Sequence, residues 1–444
     1  MDPKDVAAFL RANGVDTVIA AGPDQVGTAR GKRFTADYFV EAMGRGFRMP
    51  WSILNTGAMD EAAPGVLEGG IPDVRGAPDL ATLRLAPWEE RTAIVLMDWT
   101  WPDGSPCPYC PRQELKRRVG LLNAAGWRER VALELEFVVL PVPVAEIRRG
   151  RWSDITPAQI DVHCYSIYEG QFLEPMYRRI RDALGAVIEG GGPEWGPGQF
   201  EINLRATDAL AMADTVLTFK TAVKKICAGL GTTATFMAKW RHDLSGNSGH
   251  IHQSLIDTKT GANAFHDAAY PQGMSALMRR YLAGQLAALP PSTLFLAPYV
   301  NSYKRLKDDT LAGTAATWGF DNRTAGLRAI TTDAGACRIE HRVPGADVNP
   351  YIALAVLLAG GMMGIEDALE PPPPTTGNAY HGATGARVPA SLADALALAD
   401  GHPLTRRLLP PAFVDNYLTV ARLELDAFAT QITDLERRRG LEMA

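Results

Sequence analysis

Three short segments of the chain carry ionisable residues two positions apart, where hydrophobic residues would be ordinary. On a β-strand, residues two apart point to the same face, so each segment would direct its charges or imidazoles into one space. Burying so many charges is costly unless they coordinate cations or pair with a charged ligand. The residues are Glu134 and Glu136; His250 and His252, followed by Ser254; and Arg338, Glu340 and Arg342.

A fourth segment places Glu194 and Glu201 on either side of a Gly-Pro-Gly turn at 196–198, where small residues permit close backbone approach. Carboxylates with a histidine suit Mg²⁺ or Mn²⁺, and flanking arginines suit phosphate oxygens. The combination predicts an ATP site with bridging metals. Because neither GxxxxGK[ST] nor GxGxxG occurs in the chain, the P-loop and Rossmann nucleotide folds are excluded.

Each segment also has a plainer interpretation. An edge strand at 131–140 would bury Leu133, Leu135 and Phe137 and leave its two glutamates in solvent, and the segment alone does not decide between the two. The Gly-Pro-Gly stretch could be only a turn, and a single histidine is more often a core residue. Two histidines on one face beside a Gly/Ser/Asn loop favour metal and phosphate contacts.

The elements that must position these residues are helices and strands that alternate along the chain. The first hundred residues form a small α/β unit, and 101–111, rich in Pro, Gly and Cys, connects it to a larger one. The patterns predict helices at 5–13, 112–126, 174–188, 209–230, 274–288, 350–370 and 417–435, strands at 15–21, 79–88, 92–99, 131–140, 232–239 and 250–255, and a basic turn at 30–33.

Composition narrows the functional class. A net charge of −5 over 444 residues gives no support for a nucleic-acid or membrane partner. We expect no signal peptide, and the apolar stretch at 351–365 is too short to span a bilayer and predicts a buried helix. Five cysteines fit a reducing cytoplasm, and the lone CxxC of Cys107 and Cys110 is more typical of structural thiols than of a zinc or redox site.

Eight motifs follow one another along the chain. They are Pro78-Asp79 with Trp88, Glu134-x-Glu136-Phe137, Gly196-Pro-Gly-Gln-Phe-Glu201, Gly249-His-x-His-x-Ser-Leu255, Asn301-Ser-Tyr-Lys-Arg-Leu306, Asn322-Arg323, Arg338-Ile-Glu-x-Arg342 and Asn349-Pro-Tyr351. In order and spacing the chain resembles the glutamine synthetase superfamily, type I-like, over nearly its whole length. In character it is most similar to the γ-glutamyl-amine ligases of that superfamily.

The resemblance implies an α+β fold and an assembly. An N-terminal β-grasp domain (1–104) would precede a glutamine-synthetase-type catalytic domain (105–444) with a curved antiparallel sheet flanked by helices. Two hexameric rings would stack into a homododecamer with active sites at subunit interfaces.

The resemblance also implies roles for individual residues, with Mg²⁺ or Mn²⁺ as cofactor and ATP as co-substrate. One metal would be held by Glu136, Glu194 and Glu201, and the second by Glu134, His250 and Glu340. Nucleotide and phosphate contacts would come from His252, Ser254, Arg323, Arg328 and Arg338. Glutamate would be bound by Gly246, Arg305 and Arg342, with Arg305, Arg323 and Arg342 taking part in catalysis.

The implied reaction has two steps. The γ-carboxylate of glutamate attacks ATP and forms γ-glutamyl phosphate, which turns a poor leaving group into a good one. An amine then attacks the acyl phosphate and phosphate leaves. Metals and arginines would serve the first step, and a base and an amine pocket the second.

The chain departs from the family pattern around the amine. The flap position that carries glutamate in glutamine synthetases is Leu311, and Asp308 or Asp309 could replace that glutamate only by loop rearrangement. The family's asparagine near the α-carboxylate of glutamate corresponds to Ser245 or Asn247, and 49–65 contains no acidic run that resembles an ammonium site.

Loss of a carboxylate and gain of leucine favour a carbon-bearing amine over ammonium, with Leu311 as a candidate for its pocket. An alkylamine, alkanolamine or arylamine fits better than a polyamine, which would need more acid. The alternatives are a true glutamine synthetase with a rearranged ammonium site, a catalytically silent scaffold, and a ligase for an acid other than glutamate.

Overall fold

A computed structural model describes residues 1–150, 152, 155–160, 163–381 and 384–443. The strands are β1 (Thr17–Pro23), β2 (Ala29–Thr35), β3 (Phe47–Pro50), β4 (Asp73–Leu85), β5 (Thr92–Thr100), β6 (Trp127–Leu140), β7 (Ile188–Pro193), β8 (Gln199–Leu204), β9 (Thr233–Thr235), β10 (Gly249–Asp257), β11 (Trp318–Phe320), β12 (Leu327–Ile330) and β13 (Arg338–His341). The helices are α1 (Pro3–Ala12), α2 (Ala36–Ala42), α3 (Pro111–Ala124), α4 (Val144–Arg148), α5 (Ile167–Leu184), α6 (Ala209–Gly229), α7 (Ala276–Leu296), α8 (Pro350–Glu366), α9 (Leu392–Gly401), α10 (Pro403–Leu408), α11 (Pro411–Ala429) and α12 (Asp434–Gly440).

The first sheet has five strands in the order β2-β1-β5-β4-β3, with β1 and β5 parallel and the other pairs antiparallel. Helix α1 begins after Asp2, whose side chain accepts a hydrogen bond from Lys4 N, and it buries Val6 and Leu10 on one face. The predicted basic turn at 30–33 is wrong, because these residues lie in β2 and pair with β1.

The second sheet has the order β11-β12-β13-β10-β6-β8-β7, with β9 paired to β6. Strand β6 lies between β10 and β8, so the edge-strand interpretation of this segment is wrong. Its residues Leu133, Leu135 and Phe137 are fully buried on the core side, where α3 and α6 contact the strand. The other face of β6 carries Glu134 and Glu136.

Helix α8 is the centre of the helical layer and contacts α3, α6 and α7. Asn349 caps its first turn by accepting hydrogen bonds from the amides of Tyr351 and Ile352, and nearly every residue of the helix is buried. This confirms the buried helix predicted for the apolar stretch. Within the described residues, no helix has both the length and the apolar character needed to cross a bilayer.

An ion-pair network joins the first sheet to the helical layer. Arg112 of α3 is fully buried and lies 2.9 Å from Asp79 of β4, 2.9 Å from Asp98 of β5 and 2.8 Å from Asp214 of α6. Tyr351 donates a 2.7 Å hydrogen bond to the same Asp214. Lys116 of α3 adds a second cation, 3.1 Å from Asp79 and 2.5 Å from Asp98, and the network fixes the first sheet against the helical layer.

Candidate active site

Strand β6 positions the candidate site because its two neighbours bring ionisable residues opposite its glutamates. In the antiparallel register, Glu134 lies opposite His250 on β10, and Glu136 lies opposite Glu201 on β8. Directly opposed residues on one face have their Cβ atoms about 4.5–5.5 Å apart. The register therefore separates two glutamates of one strand into two groups of metal-binding residues.

The first cluster consists of Glu134, His250 and Glu340, each with a ligand atom within 4.8 Å of the others. The Nδ1 atom of His250 lies 3.6 Å from Glu134 and 3.5 Å from Glu340. Burial, together with the charge of Arg342, lowers the pKa of His250 to about 4, so that the imidazole is neutral and free to ligate a metal.

Two arginines balance the charge of Glu340 in this first cluster. Arg328 donates a 2.8 Å hydrogen bond to Glu340, and Arg342 pairs with the other carboxylate oxygen. Although burial would raise the pKa of Glu340, His250 and Arg342 lower it to about 2. Burial likewise opposes ionisation of Glu134, but contacts with His250 and His252 hold its pKa well below the ordinary value. Both carboxylates are therefore ionised.

The second cluster consists of Glu136, Glu194 and Glu201, again with ligand atoms within 4.8 Å of one another. A tight turn brings Glu194 back to β8, with its amide donating a 3.1 Å hydrogen bond to Gln199 O. Burial and neighbouring carboxylates raise the pKa of Glu136 to about 7 and that of Glu201 to about 8. In the part of the chain that the structure describes, no lysine or arginine forms an ion pair with these three carboxylates.

Both clusters offer ligands for a divalent cation, but they differ in the charge that they carry without one. Three buried carboxylates without an ion-pair partner are unstable as charges, and Mg²⁺ or Mn²⁺ would neutralise them through hard oxygen ligands. The first cluster offers two carboxylates and a neutral imidazole, a donor set that Mn²⁺ and Mg²⁺ both accept. Both groups of residues therefore fit a metal centre.

Arg305 and Gly246 lie beside the second cluster. Arg305 is buried and donates to Val343 O at 2.8 Å and to Ser248 Oγ at 2.9 Å, while the Ser248 amide donates to Glu136 at 2.6 Å. A Cβ atom at Gly246 would lie 2.6 Å from Ala238 O and 2.8 Å from Arg305 Cγ, so this position has no room for a side chain. Their roles in binding glutamate stay a prediction.

A cavity of about 250 Å³ lies beside Glu134, which forms part of its lining. It is also lined by His252, Ser254 and Arg338. The Nε2 atom of His252 lies 3.0 Å from Glu134, and Arg338 Nε donates to His252 Nδ1 at 3.1 Å. The structure therefore places three of the predicted nucleotide-binding residues in one cavity next to the first cluster.

Sequence reasoning missed other residues of this cavity. Arg130 lies opposite Ser254 across β6 and β10, and it shares a strand face with Glu134 four positions later. The period-two pattern that singled out Glu134 would have found Arg130 as well. Asn203, also in the cavity, donates to Glu201 at 3.0 Å and so links the cavity to the second cluster.

Gln199 is a second omission. Its Nε2 atom lies 3.0 Å from Glu136, 2.9 Å from Gly246 O and 2.9 Å from Asn247 Oδ1. It precedes Glu201 by two positions on β8 and therefore shares its face. Asn247, one of the two candidates near glutamate, is itself fully buried and donates to Met237 O at 2.7 Å, which makes it part of the loop framework.

Arg323 behaves differently from the other predicted arginines. It is exposed on the turn between β11 and β12 and lines a different cleft together with Asn322 and Thr375. Within the described residues its guanidinium forms no ion pair. Its predicted contact with phosphate stays a prediction.

The flap at 307–313 holds its acids outside the two clusters. Asp308 forms a two-pronged ion pair with Arg387 at 2.9 and 3.0 Å, and it accepts a 2.7 Å hydrogen bond from Thr314. Asp309 lies 3.4 Å from His381. Leu311 is 39% exposed with φ 59°, and its carbonyl accepts a 3.1 Å hydrogen bond from Arg342. The flap backbone is thus tied to the first cluster through Arg342, while neither aspartate replaces the missing glutamate.

Comparison with known proteins agrees with this geometry. Residues 108–440 match the family model "Glutamine synthetase, catalytic domain". The gamma-glutamylethanolamide synthetase GlnA4 of Streptomyces coelicolor is 40% identical over 99% of this chain and 95% of its own. The glutamate–isopropylamine ligase of a Pseudomonas species is 35% identical over 99% of this chain and 97% of its own.

Among solved structures, GmaS in its ADP complex (conformation 1) superposes with a TM-score of 0.86 and 27% identity, covering 99% of each chain. The family model alone spans three quarters of the sequence. The cleft between β6, β8, β10 and β13 lies within the matched segment, and the chain belongs to the glutamine synthetase family.

Proposed function

We propose that this protein is an ATP-dependent ligase that joins the γ-carboxylate of glutamate to a small organic amine through γ-glutamyl phosphate, with release of ADP and phosphate. One observation carries the proposal: the flap presents Leu311 where glutamine synthetases carry glutamate, while both neighbouring aspartates are engaged elsewhere. An ammonium ion needs a carboxylate at that position, whereas a carbon-bearing amine gains from apolar surface.

The relatives support the same conclusion. Two proteins that align with this chain over almost its whole length have names that specify γ-glutamylethanolamide synthesis and an isopropylamine ligase activity. Both names describe small amines with two or three carbon atoms. We therefore propose a short alkylamine or alkanolamine as the substrate of this protein.

The first chemical step would use the charges of both clusters. Glu136, Glu194 and Glu201 would hold one Mg²⁺ or Mn²⁺, and Glu134, His250 and Glu340 the other. When bound, these ions would neutralise phosphate charge as the γ-phosphoryl group moves to the γ-carboxylate. His252, Ser254 and Arg338 would bind the nucleotide, and Arg328 and Arg342 would stabilise the transferred group.

In the second step the neutral amine nitrogen would attack the acyl carbon, the bond from that carbon to the phosphate oxygen would break, and the departing phosphate would take up the proton that the nitrogen releases. Arg342 pairs with Glu340 and also holds the Leu311 carbonyl, so it connects the phosphate side of the site to the flap. We propose that this connection closes the flap over the acyl phosphate and excludes water, which would otherwise hydrolyse it.

The test is phosphate release from ATP with glutamate and Mg²⁺ or Mn²⁺, measured across ethanolamine, isopropylamine, aniline and ammonium. We expect a short organic amine to exceed ammonium in kcat/KM by at least about tenfold, a difference of 1.4 kcal/mol. Ammonium as the best substrate would instead identify a glutamine synthetase with a rearranged ammonium site.

A flap variant sharpens this test. Leu311→Glu should raise the kcat/KM for ammonium relative to the organic amine by about tenfold, because it returns a carboxylate to the flap. Leu311→Met, which keeps the apolar character, should leave that ratio near its original value. If this ratio of kcat/KM values is unchanged in Leu311→Glu, the residue at position 311 does not select the amine.

Two further outcomes separate the remaining alternatives. A catalytically silent scaffold should not bind Mg-ATP, which isothermal titration calorimetry detects directly. Binding of Mg-ATP without phosphate release for any amine would point to a different acid, and aspartate and longer dicarboxylic amino acids would then be tried in place of glutamate.

We also propose the architecture that the family resemblance implies. Residues 1–104 would form a β-grasp domain and 105–444 the catalytic domain, assembled in a homododecamer of two hexameric rings in the cytoplasm. The five free thiols are compatible with a reducing compartment. Sedimentation velocity would test the assembly, since a dodecamer has about twelve times the mass of the 48.0 kDa chain.

A further inference from the structure

The N-terminal sheet curls until its two edge strands meet. Strands β2 and β3 lie at opposite ends of the strand order, yet Lys32 on β2 donates a 3.1 Å hydrogen bond to Arg48 O on β3. The rings of Phe34 and Phe47 stack across the same gap with centroids 4.1 Å apart. The curl forms a cavity of about 530 Å³ that is open to solvent, a size typical of small-ligand sites.

The charge of this cavity is strongly unbalanced. Four cationic side chains line it, and Asp73 is the only acidic residue in its described lining. Arg45 pairs with Glu41 outside the cavity. Within the described residues, the other three form no ion pair: Lys32, Arg48 and Arg75.

Two of these cations directly face each other. Arg48 on β3 and Arg75 on β4 are register partners, and both line the cavity. Like charges directly opposite each other destabilise a sheet unless a counter-ion lies between them. The Arg75 stem packs over Gly46, where a Cβ atom would lie 2.8 Å from Arg75 Cγ, and Arg75 Nε donates a 3.4 Å hydrogen bond to Thr100 Oγ1.

Protection of sheet edges does not account for the whole arrangement. Lysine and arginine often occur on edge strands because they prevent pairing with other chains, and this would explain Lys32 and Arg48. Arg75, however, lies on β4, which has neighbours on both sides. Asp103, in the turn after β5, accepts hydrogen bonds from Ser105 at 2.6 and 2.9 Å, and within the described residues it forms no ion pair with Arg75.

We infer that this cavity, defined by Lys32, Arg48 and Arg75 over the Phe34–Phe47 stack, binds a small anion with two or more negative charges. The ligand bears phosphate or carboxylate groups, which the forked guanidinium donors bind in pairs. The site belongs to the N-terminal sheet and shares no residue with either metal-binding cluster.

The test is calorimetric titration of the full chain, freed of metal by a chelating resin and kept at low ionic strength, with pyrophosphate as the phosphate probe and citrate as the carboxylate probe. We expect one of them to bind, and Arg48→Gln/Arg75→Gln to weaken that binding by at least about tenfold. Arg11→Gln, on α1 outside the cavity, is the matched control. Arg338→Gln identifies any binding at the nucleotide cavity instead.

Unchanged binding in Arg48→Gln/Arg75→Gln would overturn the inference, as would the absence of binding by both probes in the wild-type chain. If the double variant does not fold, as judged by circular dichroism, Lys32→Gln provides the same comparison at an exposed position. The inference would also be contradicted if a second copy of the chain fills the cavity. In that case neither probe would bind, and the double variant would sediment differently from the wild type.

Discussion

The two metal-binding clusters share one central strand but balance their charges in opposite ways. Around Glu340 the protein supplies Arg328 and Arg342, and the carboxylate stays ionised with its pKa lowered to about 2. Around Glu201 the neighbours are other carboxylates, and its pKa is raised to about 8. One cluster is complete as an ion-pair network, whereas the other needs a cation from solution.

This difference shows how one strand can hold a site that is rigid at one end and dependent on its ligand at the other. Buried carboxylates with matched arginines remain ordered without metal, while unmatched carboxylates take up protons or bind a cation. We therefore expect metal removal to act mainly on the second cluster.

The largest expected effects come from neutralising one carboxylate in each cluster. Glu340→Gln and Glu201→Gln should each lower amine-dependent phosphate release on the order of 10³-fold, because both remove charge that positions metal and phosphate. Steady-state kinetics at saturating Mn²⁺ measure this loss. Activity of Glu201→Gln within a few-fold of the wild type would exclude it as a metal ligand.

The same two variants should differ in the stability of the metal-free protein. Glu340→Gln leaves two guanidiniums without their carboxylate and should lower the free energy of unfolding by about 3–5 kcal/mol. Glu201→Gln relieves repulsion and should raise it by about 1 kcal/mol. Denaturant unfolding in EDTA measures both, and equal destabilisation by the two variants would abolish the contrast between the clusters.

The pH dependence of stability should follow the second cluster. The folded-state pKa values of Glu136 and Glu201, about 7 and about 8, exceed the ordinary value of 4.5. Between pH 4.5 and pH 8 the folded protein therefore binds more protons than the unfolded chain. As a result, the free energy of unfolding falls as the pH rises through this range.

We expect the free energy of unfolding of the metal-free protein to fall by on the order of 6 kcal/mol between pH 5 and pH 8, since both groups contribute. Saturating Mn²⁺ should suppress this loss, because the cation replaces the protons. Thermal unfolding across this pH range, with EDTA or Mn²⁺, makes the measurement. Glu201→Gln serves as the control, since it should flatten the metal-free profile.

A smaller effect is expected from the amide that supports the second cluster. Gln199→Leu removes the donor to Glu136 and to the Gly246 carbonyl, and should weaken apparent Mn²⁺ affinity by about 10–100-fold. Titration of activity against Mn²⁺ concentration gives this value. An unchanged midpoint would mean that the backbone amide of Ser248 alone positions Glu136.

The smallest expected change in stability comes from His341, on the face of β13 that points away from the metal-binding clusters. His341 is buried opposite Ile251 and Leu327, and within the described residues neither of its ring nitrogens has a hydrogen-bond partner. His341→Leu should therefore raise the free energy of unfolding by about 1 kcal/mol. Chemical denaturation measures the change, and destabilisation would instead indicate that the imidazole is hydrogen-bonded.

Local patterns predicted much of the fold where one face of an element is buried. The alternation along β6 and the apolar run of α8 were recognisable because burial imposes its period on the sequence. The basic segment at 30–33 was misassigned as a turn, since Gly31, Lys32 and Arg33 lack strand propensity and only pairing with β1 makes them a strand.

The sequence by itself determined which side chains share a face: Glu134 with Glu136, His250 with His252, and Arg338 with Glu340. It did so because strand geometry alternates with a period of two whatever the partner. The family resemblance implied different metals for Glu134 and Glu136, but strand periodicity places them together, and only the tertiary structure shows why they enter different clusters. That division depends on the register of β6 against β10 and β8, which places His250 opposite Glu134 and Glu201 opposite Glu136. Register is a property of contacts between distant segments, and a shift of one residue would turn each of these side chains to the other face.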